Sequence, residues 1–281
     1  MILDGKKVSL KILQEIKKNI EAIQGLKPGL AVVLVGDDPA SSIYVKMKRK
    51  ACQDSGINSF FIHLDSSIDE EHLISEIKKL NNNDEVHGIL VQFPLPKHIN
   101  SSRVVESIIP SKDVDCFHPF NVGQLTIGHP TFIPCTPHGI KLLLEEYQID
   151  VASKNVVILG RSNLVGKPLA LLLLQKQNGG NASVTVLHSQ SKNIKEICQQ
   201  ADILIAALGS PGFVKKDFVK EGAIVIDVGI NRQENKIIGD VDFDEVAAKC
   251  HFITPVPGGV GPMTIAALLK NTYQSYLQHR K

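Results

Sequence analysis

Residues 156–168 read Val156-Val157-Ile158-Leu159-Gly160-Arg161-Ser162-Asn163-Leu164-Val165-Gly166-Lys167-Pro168. A short apolar run of strand type meets a glycine and then an apolar stretch of helical type. Strand, tight turn and helix in that order form a phosphate-binding geometry. The free N–H groups and the positive dipole end of the helix face the ligand. Gly160 permits the turn, Ser162 sits within it, and Gly166 lets helix and sheet pack closely. As a bare pattern, GxSxxxG also suits a purely structural turn. The next apolar run, Ser183–Leu187, leads into His188-Ser189-Gln190-Ser191-Lys192. It carries no acid to hold the ribose hydroxyls of NAD. Arg161 in the glycine turn can pair with a 2′-phosphate, and Ser189 can add a hydroxyl donor, so the cofactor expected is NADP. The bland alternatives are a surface arginine for Arg161 and a capping or core residue for His188. Farther on, Asp227-Val228-Gly229-Ile230-Asn231 closes another strand. Ile230 falls at a carboxyl end, where it can line the nicotinamide side of the site.

Outward from this unit, apolar runs alternate with helical patterns along the whole chain. Runs at Leu30–Val35, Phe60–Leu64 and Gly88–Gln92 are separated by helical patterns near 6–24, 39–55 and 69–80. The second half has runs at Val156–Gly160, Ser183–Leu187, Ile203–Leu208 and Ala223–Val228, with helices near 165–177, 192–200 and 243–249. Continuous runs rich in Val, Ile and Leu suit strands buried on both faces of a parallel sheet. The fold class expected is α/β with two domains and a cleft between them. An N-terminal α/β substrate and catalytic domain spans 1–137 and is completed by a C-terminal helix within 263–281. A Rossmann-like NADP-binding domain spans 138–262. The Pro- and Gly-rich segment 110–137 reads as the crossing between them and a wall of the cleft.

The 281 residues are 43% hydrophobic and 21% charged, ordinary for a soluble globular protein. A net charge of +2 and the lack of tryptophan argue against nucleic acid or a membrane surface as partner. The start, MILDGKKVSL, has no apolar signal-peptide core. Five scattered cysteines without a CxxC or a His/Cys cluster suggest neither a disulfide framework nor a metal site. A reducing cytoplasm is the compartment expected.

In Ser42-Ile43-Tyr44-Val45-Lys46-Met47-Lys48, a tyrosine and a lysine lie four residues apart on a helical pattern, hence on one face. Met47, Ala51, Cys52 and Ser55 join that face by spacing. Lys48 is then a cation on the otherwise uncharged side of a basic helix. Such a lysine, held partly dry, can handle protons near neutral pH. The alternative is a lysine that snorkels to solvent.

These segments together resemble the bifunctional methylenetetrahydrofolate dehydrogenase/cyclohydrolase family, the FolD type. The resemblance covers nearly the whole chain. It is carried by YVKMK at 44–48, VQFPLP at 91–96, KDVDCFHPFNVGQL at 112–125, FIPCTPHG at 132–139, VVILGRSNLVGKP at 156–168 and TPVPGGVGPMT at 254–264. It implies two reactions. NADP-dependent oxidation of 5,10-methylenetetrahydrofolate gives 5,10-methenyltetrahydrofolate, and hydrolysis then gives 10-formyltetrahydrofolate. It also implies a homodimer, and at this length the two-activity form without a ligase domain.

Under that resemblance Lys48 manages water and protons, as free base or as charged donor, and Gln92 orients it through its amide oxygen. Tyr44 offers a ring face and a polar tip to the folate. Asp115 can accept hydrogen bonds from the pterin's amino-pyrimidine edge, with Asp113 as its rival. Pro257, Gly258, Gly261 and Thr264 border the folate, the glycines letting backbone approach closely. Cys135 is expected to be a packing residue. Cys116-Phe117-His118 departs from the family's small-then-apolar pattern after the acid, which bears on the shape of the pterin pocket. Two other readings stand beside this one: a monofunctional methylenetetrahydrofolate dehydrogenase, and a more distant amino-acid or shikimate-type NADP dehydrogenase.

Overall fold

The computed structural model describes residues 1–233 and 236–280, which fall into two compact units. One unit takes in Leu10–Gln124, Pro130–Cys135 and Ile265 onward; the other takes in Met1–Ser9, Leu125–His129 and Thr136–Thr264.

The first unit holds most of α1 (Gly5–Glu21), then β1 (Gly29–Val35), α2 (Pro39–Ser55), β2 (Asn58–Leu64), α3 (Glu70–Asn81), β3 (Gly88–Val91), α4 (Ser101–Glu106) and the start of α5 (Pro119–Thr126). Its parallel sheet has the order β2-β1-β3. Strand β1 is Gly-Leu-Ala-Val-Val-Leu-Val and is buried throughout, as a central strand covered on both faces must be. At the edge, β2 alternates between exposed and half-buried positions. Helix α2 starts where the Asp38 carboxylate accepts from Ser41 N at 2.8 Å and Pro39 fills the first turn, whose N–H groups need no helical partner. It stops at Gly56, whose φ of 78° is the left-handed cap. Helix α3 uses Asp69 in the same way and carries Glu70 and Glu71 in its first turn, with Lys78 and Lys79 in its last, matching the helix dipole.

The second unit has α6 (Cys135–Glu146), β4 (Asn155–Leu159), α7 (Gly166–Leu174), β5 (Ser183–Leu187), α8 (Ile194–Cys198), β6 (Ile203–Ala206), β7 (Ile224–Asp227), the antiparallel pair β8 (Asn231–Gln233) and β9 (Lys236–Ile238), α9 (Phe243–Val246) and β10 (Phe252–Ile253). Its parallel sheet runs β10-β7-β6-β4-β5. The chain's first residues count with this unit because Leu3 N donates to Ile253 O at 2.8 Å and Lys6 N to Gly258 O at 2.9 Å. The chain ends in α10 (Val260–His279), whose Ile265, Leu268 and Leu269 join Leu30, Val32 and Leu90 in a core of the first unit.

Both units are wound the same way. From β1 the chain goes to β2 on one side and then to β3 on the other. From β4 it goes to β5 on one side and then to β6 on the other. Such a reversal opens a crevice at the carboxyl ends of the strands, where ligands bind in open α/β sheets.

The apolar runs of the sequence become strands within one or two residues of the expected bounds. The segment 110–137 is not wholly irregular: it contains α5 and the start of α6. Helix α8 is shorter than the expected 192–200 pattern, and β10 adds a fifth parallel strand. Helix α2 buries Ser41, Val45, Ala51, Cys52 and Ser55, so Ala51, Cys52 and Ser55 lie together as the spacing expects, while Met47 is 44% exposed. Val45 takes the apolar place expected of Met47, packing in the core with Ala51, Cys52, Leu30, Val32 and Leu34.

Candidate active site

In the first unit, Lys48 is half-buried in the middle of α2 and Gln92 directly follows β3 at the strand-order reversal. Gln92 N donates to Val33 O at 2.9 Å, which continues the ladder one residue past the strand and fixes the backbone there. Its side-chain Nε2 donates to Phe93 O at 2.8 Å, so the amide oxygen is left to face Lys48. Lys48 Nζ donates to that oxygen at 3.0 Å. An ammonium has three donors, so two remain for water or a ligand. Tyr44 lies one turn earlier on the same helix, also half-buried.

The two acids of Lys112-Asp113-Val114-Asp115 separate by environment. Asp113 is buried and fully engaged: its carboxylate accepts from Phe117 N at 3.2 Å, His118 N at 2.9 Å and Asn121 Nδ2 at 2.8 Å. These bonds hold the turn in which Cys116 takes a left-handed φ of 62°. Asp115 is half-buried. Burial raises its pKa, and the charge of Lys48 and a hydrogen bond with Cys135 oppose that rise. Lys48, Gln92 and Asp115 therefore form one polar group, while Asp113 is structural. Burial drives the Cys135 thiol far above its ordinary range and pushes Cys52 up to about 12, so neither is a thiolate nucleophile.

In the second unit, the expected dinucleotide residues collect at the carboxyl ends of the strands. Gly160 follows β4 with φ of 119°, and a Cβ there would lie 2.2 Å from Ala207 O. A Cβ on Gly166 would lie 2.0 Å from Gly160 O. Only glycine fits either place. No side chain caps the N-terminus of α7; Lys167 N donates to Ser162 O at 3.1 Å and Leu169 N to Val165 O at 2.9 Å, Pro168 has no N–H, and the Gly166 N–H is left for a ligand, while Ser162 Oγ accepts from Val165 N at 3.1 Å. Arg161 is exposed and forms no ion pair among the described residues. Ser189 is exposed beyond β5, and Ile230 is 43% exposed beyond β7. His188 Nδ1 accepts from Gln190 N at 3.2 Å, a turn-capping role. The uncapped helix, the glycine cradle and the exposed arginine fit a dinucleotide with an extra phosphate.

The segment Pro257-Gly258-Gly259-Val260-Gly261 leads into α10 in this unit. Pro257 is exposed, Gly258 has φ of 109°, and a Cβ on Gly261 would stand 3.7 Å from Ile230 Cδ1. Half-buried Thr264 shares a hydrogen bond of 3.1 Å with Thr136 through their hydroxyls. Sequence reasoning does not single out Asp227 and Asp240, two buried acids beside Ile230; the glycines that flank them, Gly229 and Gly239, are the available signal.

Two family models match: tetrahydrofolate dehydrogenase/cyclohydrolase, catalytic domain, over residues 3–115, and the NAD(P)-binding domain of the same family over residues 134–280. The chain is 53% identical to the bifunctional protein FolD of Acetivibrio thermocellus over 277 residues, covering 98% of this chain and 96% of that one. The crystal structure of the bifunctional enzyme FolD from Campylobacter jejuni superposes with a TM-score of 0.96 at 52% identity, covering 99% of each chain. The Trypanosoma brucei methylenetetrahydrofolate dehydrogenase-cyclohydrolase, solved with NADP cofactor and inhibitor, gives a TM-score of 0.95 at 37% identity over 100% of this chain and 98% of that one. With relatives this similar along almost its full length, the chain belongs to the tetrahydrofolate dehydrogenase/cyclohydrolase family.

Proposed function

We propose that this protein is a bifunctional one-carbon folate enzyme. It oxidises 5,10-methylenetetrahydrofolate with NADP to 5,10-methenyltetrahydrofolate and hydrolyses that product to 10-formyltetrahydrofolate. The observation that carries the second activity is the Lys48 Nζ to Gln92 Oε1 hydrogen bond of 3.0 Å at the strand-order reversal. A dehydrogenase without hydrolysis has no need of a lysine held there by an amide.

Oxidation leaves a cation shared by two folate nitrogens, so the substrate itself supplies much of the stabilisation. NADP supplies the acceptor for the hydride when bound. The protein's part is orientation. Gly160, Ser162 and Gly166 present the phosphate-binding turn, Arg161 and Ser189 meet the 2′-phosphate, and Ile230 borders the nicotinamide. Hydrolysis asks more. Water must lose a proton as its oxygen bonds to the methenyl carbon, and a folate nitrogen must gain one as its bond to that carbon breaks. Lys48 holds the water and handles the proton, and Gln92 keeps its side chain aimed. Asp115 pairs with the pterin edge, Tyr44 packs on a folate ring, and Pro257, Gly258, Gly261 and Thr264 border the substrate.

The working state is a homodimer in the cytoplasm. No helix among the described residues is long and apolar enough to cross a membrane. The test is one spectrophotometric assay with methylenetetrahydrofolate and NADP or NAD, following reduced cofactor and the methenyl chromophore together. A preference for NADP is expected, with a methenyl signal that rises and then decays. A methenyl signal that persists at the uncatalysed rate would establish the monofunctional reading instead.

A further inference from the structure

Two buried carboxylates at the carboxyl ends of β6 and β7 are both engaged by backbone. Asp240 has no exposed surface. Its Oδ2 accepts from Leu208 N at 2.6 Å and Gly209 N at 3.0 Å; its Oδ1 accepts from Ser210 N at 2.8 Å and Asn231 Nδ2 at 2.9 Å. Three successive N–H groups converging on one anion make a nest, a geometry proteins use to bind phosphates. Here the anion is the protein's own. Asp227 holds Asp240 in turn: its carboxylate accepts from Gly229 N, Asp240 N and Val241 N, each at 2.9 Å. The flanking glycines make room for these groups. A Cβ on Gly229 would meet Asp240 Cγ at 2.3 Å, and one on Gly239 would meet Asp227 Oδ2 at 1.8 Å.

The two acids fix the rim of the dinucleotide crevice. The nest lies in the loop after β6. That loop begins at Ala207, whose N–H donates to Leu159 O at 2.8 Å and whose carbonyl stands against Gly160. The second clasped loop carries Ile230, next to Gly229. Asp240 thus ties the loop that backs the phosphate-binding glycine to the loop that presents Ile230.

We propose that Asp240, braced by Asp227, is a positioning residue for the dinucleotide. It sets the separation of the 207–210 loop and Ile230, and so governs NADP binding and hydride acceptance without a part in methenyl hydrolysis. This rests on the bifunctional reading above. Asp240→Asn keeps the shape but turns one acceptor into a donor facing backbone N–H groups.

The experiment measures three quantities on the full-length protein: the KM for NADP, the dehydrogenase kcat, and hydrolysis of added methenyltetrahydrofolate without any dinucleotide. For Asp240→Asn, the KM for NADP rises about tenfold or more, as for losing a hydrogen bond to a charged group, while hydrolysis stays within about twofold of wild type. Parallel loss of both activities, or an unchanged KM for NADP in a folded variant, overturns the proposal. Should Asp240→Asn fail to fold, Asn231→Ala decides it. That change removes one donor to Asp240 and leaves the nest, so the KM for NADP rises about threefold with hydrolysis unchanged; an unchanged KM overturns the proposal. Wild type serves as the control for the bifunctional reading: if it lacks either activity, that reading fails, whatever the variants do.

Discussion

The two units share a winding plan and place their reactive surfaces at the same point of it, yet they build those surfaces from different material. At the β1–β3 reversal the first unit sets out side chains: Lys48, Gln92 and Asp115, with a charge and an amide in hydrogen-bond contact. At the β4–β6 reversal the second unit sets out backbone: glycines with no room for a Cβ, an uncapped helix N-terminus, and loops held from behind by buried carboxylates. Proton transfer needs groups that titrate or donate at a point, which side chains provide. A dinucleotide presents a long phosphate-rich backbone, which N–H groups and a helix dipole serve well. The first surface is therefore sensitive to replacing one functional group, and the second to adding one carbon atom.

Substitutions and one titration probe that contrast. Lys48→Met keeps most of the unbranched side chain and deletes its donors; methenyl hydrolysis falls about a hundredfold or more while folate still binds, as measured by the decay of added methenyltetrahydrofolate and by folate titration. Gly160→Ala adds one carbon where Ala207 O is 2.2 Å away and φ is 119°. Dehydrogenase activity falls about a hundredfold, with hydrolysis retained; loss of both together would erase the division between the units. Within the first unit, Asp115→Ala raises the KM for folate about tenfold in a stable protein. Asp113→Ala, which orphans three donors, lowers stability by about 2 kcal/mol in urea unfolding. Exchange of those two phenotypes would put the pterin on Asp113. Arg161→Ala weakens NADP about tenfold and leaves NAD unchanged, and equal loss for both would remove Arg161 from the 2′-phosphate.

The titration separates the units by sign. Burial, helped by the charges of His279 and Lys112, lowers His87 from 6.5 to about 4. Its contribution to the first unit's stability is complete above about 6.5 and is lost as pH falls towards 4. In the second unit, burial raises Asp227 from 3.8 to about 6 against three backbone donors. The folded state there holds a proton that the unfolded chain releases, so that unit gains relative stability as pH falls from about 6 to 3.8. Hydrogen exchange resolved by unit, at about pH 7 and about pH 5, checks the opposite trends. Asp227→Asn removes the second trend and leaves the first.

The sequence exposes features whose signal is local. The strand runs from Leu30 to Val35 and from Val156 to Leu159 announce themselves by unbroken apolar character, and the Gly160 turn by the apolar helix beyond it. Helix α5 is obscured because its eight residues sit among prolines and glycines, although Pro119 at its start is itself a helix signal. On α2, Ala51, Cys52 and Ser55 keep to the expected face and Met47 does not, its place being taken by Val45. Spacing alone gives the relation between Tyr44 and Lys48, but which side of the helix meets Leu30 and Val32 depends on the sheet. Asp113 and Asp115 are indistinguishable as letters two residues apart; only the turn through Cys116 assigns three donors to one and leaves the other beside Lys48. Asp240 is hidden from sequence reasoning because its partners Leu208, Gly209 and Ser210 lie 32, 31 and 30 residues earlier.

The division of chemistry between the two surfaces is tested most directly by mixing Lys48→Met protein with methylenetetrahydrofolate and NADP in a stopped-flow instrument and following reduced cofactor and methenyltetrahydrofolate at once. The two signals should rise together, one for one, and the methenyl signal should then persist. Methenyl decay at the wild-type rate in this variant would contradict that division, as would a failure to form reduced cofactor in protein that still binds folate.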